Sequence, residues 1–537
     1  MEEIRNMPIG IQDFDIIRTS SSYVYVDKTQ FIPCLEVVGR AHFLARPRRF
    51  GKSLFLSMLQ AYFEGRKELF KGLFIEKFKA KRGEEWKTYP VLKLDLNAKN
   101  YTEKERLKTI LNDHIRLWEG KYDVKTNCTD VDSAFADIIR LVCKKHNSRV
   151  VILIDEYDKP LLEAIGNEEL QEQYRAILKG FYSVIKSLNG CIHLSFLTGV
   201  TKFSKVSIFS GLNNLDDISY DAEYSSICGI SEQELQANFA PEIEALANKQ
   251  AVSVNEMTEI LRKKYDGYRF SEKEERMYNP FSLCSAFSKK KLSNYWFETA
   301  TPNFLVYVLE QTAFKLPDLE NNITVSMQGM DDYRVNYANL APLLFQTGYL
   351  TIKDYDEEFF SYRLGFPNDE VRYAFLKRLM NIYNGAKYGI SQEFAIGEFV
   401  NSMKQGDIER VLTLIKALMA SIPYDSFPEG EQFLREHNYQ TAVYLIFHLM
   451  GQYVRTEVHG SVGRSDVEVE TSNAIYIFEF KVGGKPVDAI AQIKKQGYAN
   501  KYASSNKSIF LIGAIINRNK RTLGKWKIEK LDFKKSL

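Results

Sequence analysis

Gly51-Lys52-Ser53 stands between an apolar run, His42 to Ala45, and a segment whose residues Leu54, Phe55, Met58, Leu59, Tyr62 and Phe63 recur with a helical period. Strand, loop and helix start in that order gather unpaired backbone N–H groups and the positive end of a helix dipole around an anion. In such a loop Lys52 reaches the outer phosphates of a nucleoside triphosphate, and the Ser53 hydroxyl binds Mg²⁺. The usual spacing G-x-x-x-x-G-K-[ST] asks for glycine where this chain has Arg46. The loop must therefore turn by other means, and Pro47 offers a fixed φ. Val150-Val151-Ile152-Leu153-Ile154-Asp155-Glu156 supplies the complement, an apolar run ending in two acids. It reads as a central parallel strand with its acids at the carboxyl end, where α/β folds bind ligands. Asp155 is expected to hold Mg²⁺, and Glu156 to orient and deprotonate the attacking water. A plainer reading, a strand entering a solvated turn, suits Asp158 and Lys159.

A second chemical unit lies near the C-terminus, in Ala474-Ile475-Tyr476-Ile477-Phe478-Glu479-Phe480-Lys481-Val482. Side chains alternate along a strand, so Glu479 and Lys481 share one face and Phe478 and Phe480 the other. An ionised Glu and a Lys in an otherwise apolar strand are costly unless they pair or bind a metal.

The first half of the chain resembles the AAA-ATPase-like P-loop proteins. The resemblance rests on Arg46-Pro47-Arg48-Arg49-Phe50-Gly51-Lys52-Ser53, on Gly10-Ile11-Gln12-Asp13-Phe14, and on Tyr25-Val26-Asp27-Lys28-Thr29. It continues in Leu197-Thr198-Gly199-Val200-Thr201-Lys202-Phe203-Ser204, Phe209-Ser210-Gly211-Leu212-Asn213-Asn214-Leu215, Tyr265-Asp266-Gly267-Tyr268 and Tyr278-Asn279-Pro280-Phe281. That family carries arginine in place of the first loop glycine. The resemblance implies ATP binding by Arg46, Arg49, Phe50, Gly51, Lys52, Ser53 and Leu54, with Thr198 as a polar sensor of the outermost phosphate. Such proteins commonly carry a second domain, and Asp466 with Glu479-x-Lys481 resembles the PD-(D/E)XK nuclease core. This implies that Asp466 and Glu479 hold Mg²⁺ or Mn²⁺, hard cations suited to carboxylate oxygens. Lys481 would then position or activate the attacking water. A Glu from the first helix of that domain, Glu431 or Glu436, and polar residues at Gln492 and Tyr498 complete the implied site.

These residues need a scaffold. Beyond the two strands above, Tyr89 to Leu96 and Cys191 to Leu197 read as strands. Glu103 to Trp118, Ser133 to Lys144 and Glu168 to Leu188 read as amphipathic helices. Strands alternating with helices predict an α/β parallel sheet. Tyr23 to Val26 reads as a short strand, with Asp27 or Thr29 capping a helix. The polar and aromatic segment from Ser204 to Asn214 reads as a loop, either a plain surface turn or, as the resemblance implies, one with a role in nucleotide sensing or coupling. Beyond Leu283 the pattern turns helical: Glu298 to Leu309, Ala338 to Phe345, then a ribbon from Tyr349 to Leu364, a winged-helix-like order. Few basic residues lie on its helix, so it reads as a lid on the ATPase core. Further helices are expected over 371–420. From Phe427 onward the pattern is helix (433–450), strand (452–458), Asp466 strand, Glu479 strand, helix (487–502) and strand (508–515). The expected division is 1–285 as the P-loop ATPase domain, 286–425 as the helical middle, and 426–537 as the nuclease-like α/β domain.

At 537 residues the chain is too long for one core. Its 45% hydrophobic and 26% charged residues are those of a folded soluble protein, and a net charge of +3 gives no global argument for nucleic acid. A local excess of Lys and Arg between Lys485 and Lys530 suits phosphate contacts, and equally a solvated surface. Six scattered cysteines show no zinc or disulfide spacing, which favours a reducing compartment. The N-terminus has no apolar leader core and no apolar run approaches ~20 residues, so a cytoplasmic protein without a membrane span is expected. The expectation is an ATP-binding ATPase fused to a metal-dependent nuclease-like domain acting on nucleic acid, DNA ahead of RNA, with homo-oligomerisation open. The domain pairing suits defence or mobile-element biology by association. The alternatives are a nucleotide-dependent switch whose nuclease-like module binds without cutting, and an ATPase that remodels a protein partner.

Overall fold

The computed structural model describes the chain apart from residues 1–4, 21, 37–39, 98–99, 102, 203–213, 297–322, 332–339, 384–395, 422–445, 448, 450–454, 462–463, 504, 518–521 and 532–537. The chain folds as two compact units that divide between Val371 and Arg372. That point falls inside the stretch expected to form a helical middle.

The first unit is built on five strands: β1 (Ala41–Ala45), β2 (Val91–Asp95), β3 (Val150–Asp155), β4 (Ile192–Gly199) and β5 (Leu215–Asp217). Their order is β2-β3-β4-β1-β5, and every pairing is parallel. Every residue of β1, β3 and β4 is buried, as expected when helices cover both faces of a parallel sheet. The register sets Leu44 beside Thr198, Ala45 beside Gly199, and Asp95 beside Asp155, so the carboxyl ends of these strands form one rim. From the β1 end of that rim the chain enters the loop and then helix α1 (Lys52–Phe63), with Gly51 at its N-cap at φ 97°.

Tyr23 to Val26 forms no strand; Tyr23 makes a single bridge to Asn6. Asp27 does act as a local acceptor, taking the N–H of Thr29 at 2.9 Å and the N–H of Phe74 at 2.7 Å. Later in this unit come β6 (Ile323–Ser326), a short helix α2 (Ala341–Gln346), β7 (Thr351–Asp356) and β8 (Ser361–Gly365). These strands make an antiparallel sheet in the order β6-β8-β7. The helix-then-ribbon order is as read, and β6 is an addition that the pattern did not reveal. The segment packs against the chain near Arg269 and the loop that follows β1. The Thr351 hydroxyl accepts the Arg269 N–H at 2.7 Å, and Gly348 lies against Pro47 and against Trp296, whose indole donates to the Arg48 carbonyl at 3.0 Å. The expected helix over 298–309 lies outside the described residues.

The second unit contains a sheet of β9 (Arg455–Ser461), β10 (Arg464–Glu470), β11 (Ala474–Val482), β12 (Ser508–Asn517) and β13 (Thr522–Leu531), in that order. Only β11 and β12 run parallel, and the helix α3 (Pro486–Gln496) makes the crossover between them. Ile475 and Ile477 on one face of β11 pack with Ile490 and Ile493 of α3. On the other face Phe478 and Phe480 meet Phe447, with ring centroids 5.0 and 6.1 Å apart. Two readings need correction. The helix expected over 487–502 stops at Gln496, because Gly497 takes a left-handed φ of 69° that ends it, and a separate 3-10 turn covers Asn500–Tyr502. The basic tail contains the edge strand β13, where alternation of Lys with Leu, Trp and Ile had been read as charge alone.

Candidate functional site

The loop between β1 and α1 turns at Arg49 (φ 68°) and Gly51 (φ 97°), so these positions, and not Pro47, supply the unusual backbone. The Arg46 N–H donates to the Gly199 carbonyl at 3.1 Å, tying the loop to the exit of β4. Its guanidinium is 1% exposed and donates to the carbonyls of Ala45 (2.9 Å), Ser219 (2.7 Å) and Tyr224 (3.0 Å), and it lies 4.2 Å from the centroid of the Phe270 ring. Burial draws its pKa down to about 10, which leaves it charged at neutral pH. The sequence placed Arg46 among ATP-binding side chains; in the structure that side chain holds the loop from beneath. Phe50 is likewise an anchor, edge-on to Tyr268 at 4.7 Å and Phe270 at 5.4 Å, while its carbonyl accepts the Gly229 N–H at 3.2 Å. Arg49 is exposed and stacks over Phe281 at 4.7 Å; Ser53 and Leu54 are half-buried at the helix start.

The loop curls over its own lysine. Lys52 Nζ donates to the carbonyls of Arg46 (3.0 Å) and Pro47 (3.3 Å), and lies 3.4 Å from Glu156 Oε1. Asp155, buried at the end of β3, accepts the Thr198 hydroxyl at 2.7 Å from the neighbouring β4. Glu156 follows in a left-handed conformation, φ 52°. Burial pushes the pKa of its carboxyl up, the nearby Asp158 and Asp155 add to this, and Lys52 opposes it. The structure thus brings Lys52, Asp155, Glu156 and Thr198 together at the strand rim. Asp158 does not face solvent as the plainer reading had it. It is fully buried, and its carboxylate accepts hydrogen bonds from the chain leaving β4. The loop from 204 lies outside the described residues up to Asn214.

In the second unit the antiparallel register places Asp466 directly opposite Glu479 and Glu468 opposite Ile477. Residues directly opposite on paired strands share a sheet face, so 466, 479 and 481 lie on one side. Glu479 is fully buried. On its other flank it pairs with Gly513 of β12, where an added Cβ would come 2.3 Å from the Pro486 carbonyl. The first turn of α3 therefore rests beside Glu479. Half-exposed Lys481 donates to the Asp488 carbonyl in that same turn, at 3.2 Å. Gln492 and Tyr498 are half-buried, and Tyr498 packs against the apolar cluster beneath α3. Glu431 and Glu436 lie outside the described residues.

Glu468 is a residue that the sequence reading passed over. It is 5% exposed, accepts the Tyr502 hydroxyl at 2.6 Å, and lies 2.7 Å from Lys501 Nζ. The alternation of acids at 466, 468 and 470 marks the strand but does not single out Glu468. Three lysines of the basic stretch are paired: Lys494 with Glu529, Lys501 with Glu468, and Lys507 with Glu470 at 2.8 Å. Among the described residues no group of three or more His, Cys, Asp or Glu could hold a metal ion, and no helix is long and apolar enough to cross a membrane.

A parallel sheet with a phosphate-loop layout, followed by a mixed sheet carrying Asp and Glu-x-Lys on adjacent strands, defines a protein of the P-loop class joined to a nuclease-type fold. Residues 8–209 match the family described as "Predicted AAA-ATPase", and residues 434–526 match the PD-(D/E)XK nuclease superfamily. The "Uncharacterized protein in vnfD 5'region" of Azotobacter chroococcum mcd 1 is 35% identical over 534 residues, covering 98% of this chain and 99% of its own length. The chain belongs to the AAA-ATPase-like family, with a C-terminal domain of the PD-(D/E)XK nuclease superfamily.

Proposed function

We propose that the first unit binds and hydrolyses ATP and that the second cleaves nucleic acid, DNA ahead of RNA. The observation that carries the first half is the convergence of Lys52 and Glu156, 3.4 Å apart, with the Asp155–Thr198 pair at 2.7 Å on one strand rim. The donor set fits Mg²⁺, since the Ser53 hydroxyl and the Asp155 carboxylate are hard oxygen ligands. Bound there, Mg²⁺ would neutralise charge on the outer phosphates. Lys52 exchanges its loop carbonyls for phosphate oxygens. Gly51 and the N–H groups of the first turn of α1 cradle the phosphates, with Arg49 at the rim. Glu156, its carboxyl pKa raised, takes the proton of the attacking water. Thr198, bonded to Asp155, reports the presence of the last phosphate. Arg46 and Phe50 keep the loop in shape.

In the second unit Asp466 and Glu479 would hold Mg²⁺ or Mn²⁺, and that ion would supply a polarised phosphate and a more acidic water. Lys481 places the water or offsets charge on the phosphate. The opposition of 466 and 479 across β10 and β11 supports this reading. One observation favours the non-cleaving switch as a second reading: Glu479 is fully buried and the Lys481 amine is engaged with a helix carbonyl. The test is the purified chain with ATP, Mg²⁺ and labelled DNA or RNA, following phosphate release and strand scission. Metal-dependent scission that Asp466→Ala removes supports the nuclease; ATP turnover without scission moves the second unit to the switch.

A further inference from the structure

We propose that Asp158, acting with Thr201, is a positioning residue of the ATP site that aims Glu156; this rests on the ATPase reading above. Asp158 lies two residues beyond Glu156 and is 0% exposed. Its carboxylate accepts the N–H of Val200 at 3.1 Å, the N–H of Thr201 at 2.7 Å and the hydroxyl of Thr201 at 2.6 Å. These donors belong to the chain leaving β4, immediately after Gly199. A carboxylate taken out of water needs such charge-assisted partners, and here three come from a single short segment.

Tyr157 makes the same connection. Its N–H donates to the Thr198 carbonyl at 2.9 Å and its hydroxyl to the Thr201 carbonyl at 2.8 Å, with its ring edge-on to Phe43 of β1 at 5.3 Å. The two strand exits are in contact: a Cβ on Gly199 would fall 2.5 Å from the Tyr157 ring and 2.7 Å from Asp158 Oδ1. Asp155 on one side of Glu156 is thus tied to Thr198, and Tyr157 and Asp158 on the other are tied to residues 198–201. Glu156 between them holds a left-handed conformation that an L side chain with a Cβ disfavours, and such conformations persist where the surroundings over-determine them. The latch therefore fixes the direction of the Glu156 carboxylate relative to Lys52. The latch meets the phosphate loop through the Gly199 carbonyl, which accepts the Arg46 N–H, while the Asp158–Thr201 bonds themselves lie on the Glu156 side, so losing those bonds is expected to act on turnover more than on nucleotide capture.

The test uses the full chain with Thr201→Val, Thr201→Ser and Asp158→Asn. ATP affinity is read by calorimetry, kcat and KM by phosphate release, and folding by thermal melting. The expected result is that Thr201→Val, which keeps shape and loses the hydroxyl donor, lowers kcat about 10-fold with ATP affinity within about 3-fold. Thr201→Ser restores the rate, and Asp158→Asn acts in the same direction more strongly. Should Asp158→Asn fail to fold, the Thr201 pair decides. Rates within about 2-fold of wild type in a folded Thr201→Val, or affinity and rate falling together with the melting temperature, would overturn the latch. A wild-type chain that binds no ATP or releases no phosphate overturns the ATPase reading, and the latch with it, before any variant is compared.

Discussion

The two units assemble their candidate sites by opposite routes. In the first, the key contacts join residues far apart in the chain: Thr198 and Asp155 are 43 residues apart, and Arg46 reaches Ser219 across 173. Parallel strands need long crossovers, so a rim of chemical residues is gathered from several β–α turns. In the second, Asp466 and Glu479 face each other across β10 and β11, consecutive antiparallel strands joined by a short turn. A site gathered from distant segments depends on residues that hold those segments together, which is why Arg46, Phe50 and Asp158 surround it. A site made on one hairpin needs only the register of that hairpin and the helix that lies across it.

The largest effects should come from the chemistry of each unit, and should stay within it. Lys52→Ala is expected to weaken ATP binding at least ~100-fold by calorimetry, while Glu156→Gln keeps binding and lowers turnover by roughly 10³-fold. Equal ATP affinity in wild type and Lys52→Ala would remove the phosphate site altogether. Asp466→Ala is expected to abolish metal-dependent scission and leave ATP turnover unchanged; a matching loss of both activities would show that the two routes are not independent.

A pH profile sharpens the first unit further. Because the folded pKa of Glu156 is raised, its protonated form persists to higher pH than an ordinary glutamate's, and a base must be deprotonated to act. ATP turnover should therefore fall on the acid side at a pH above the usual carboxylate range, and Glu156→Gln should remove that limb. The sign for stability is the reverse: ionising a half-buried carboxyl whose pKa is raised costs folding energy, so Glu156 contributes stability below its unfolded pKa and loses it as pH rises through the folded one.

Smaller effects separate the supports. Arg46→Met strips three carbonyls of their buried donor and should cost the first unit about 3 kcal/mol in denaturant unfolding. In the second unit Gly513→Ala forces a Cβ against the first turn of α3, and about 2 kcal/mol is expected. Lys501→Met removes an ion pair whose lysine is 47% exposed, and should cost well under ~1 kcal/mol. A Gly513→Ala protein as stable as wild type would mean that the hairpin site does not depend on the seating of its helix.

The same contrast decides what could be read from the sequence. Val150–Asp155 and Ala474–Val482 are legible because continuous apolar runs end in charge, and the helix Glu168–Ser187 because its apolar face repeats. That Lys52, Asp155 and Glu156 would meet at one strand rim was legible because the strand-loop-helix layout and the acid-ended strand constrain residue types locally. The roles of Arg46 and Asp158 were not, since their partners at Ser219, Tyr224, Val200 and Thr201 are fixed by tertiary contacts that carry no spacing. Glu468 hid for a different reason: in a strand of alternating acids, nothing local tells the buried one, held by Tyr502, from its neighbours. Edge strand β13 was lost because its exposed lysines mask the period of its buried side.

The buried guanidinium of Arg46 also sets the limits of modularity. The match to the ATPase family runs over residues 8–209, yet Arg46 leans on the carbonyls of Ser219 and Tyr224 and on the ring of Phe270. A fragment cut at 209 would keep every residue of the phosphate loop but remove two of the three carbonyls and the aromatic ring that hold the Arg46 cation, together with β5. Chimaeras that graft this loop onto another sheet must carry the 219–224 strap and Phe270 with it. The smallest transplantable AAA-ATPase-like piece of this chain therefore extends at least to residue 270.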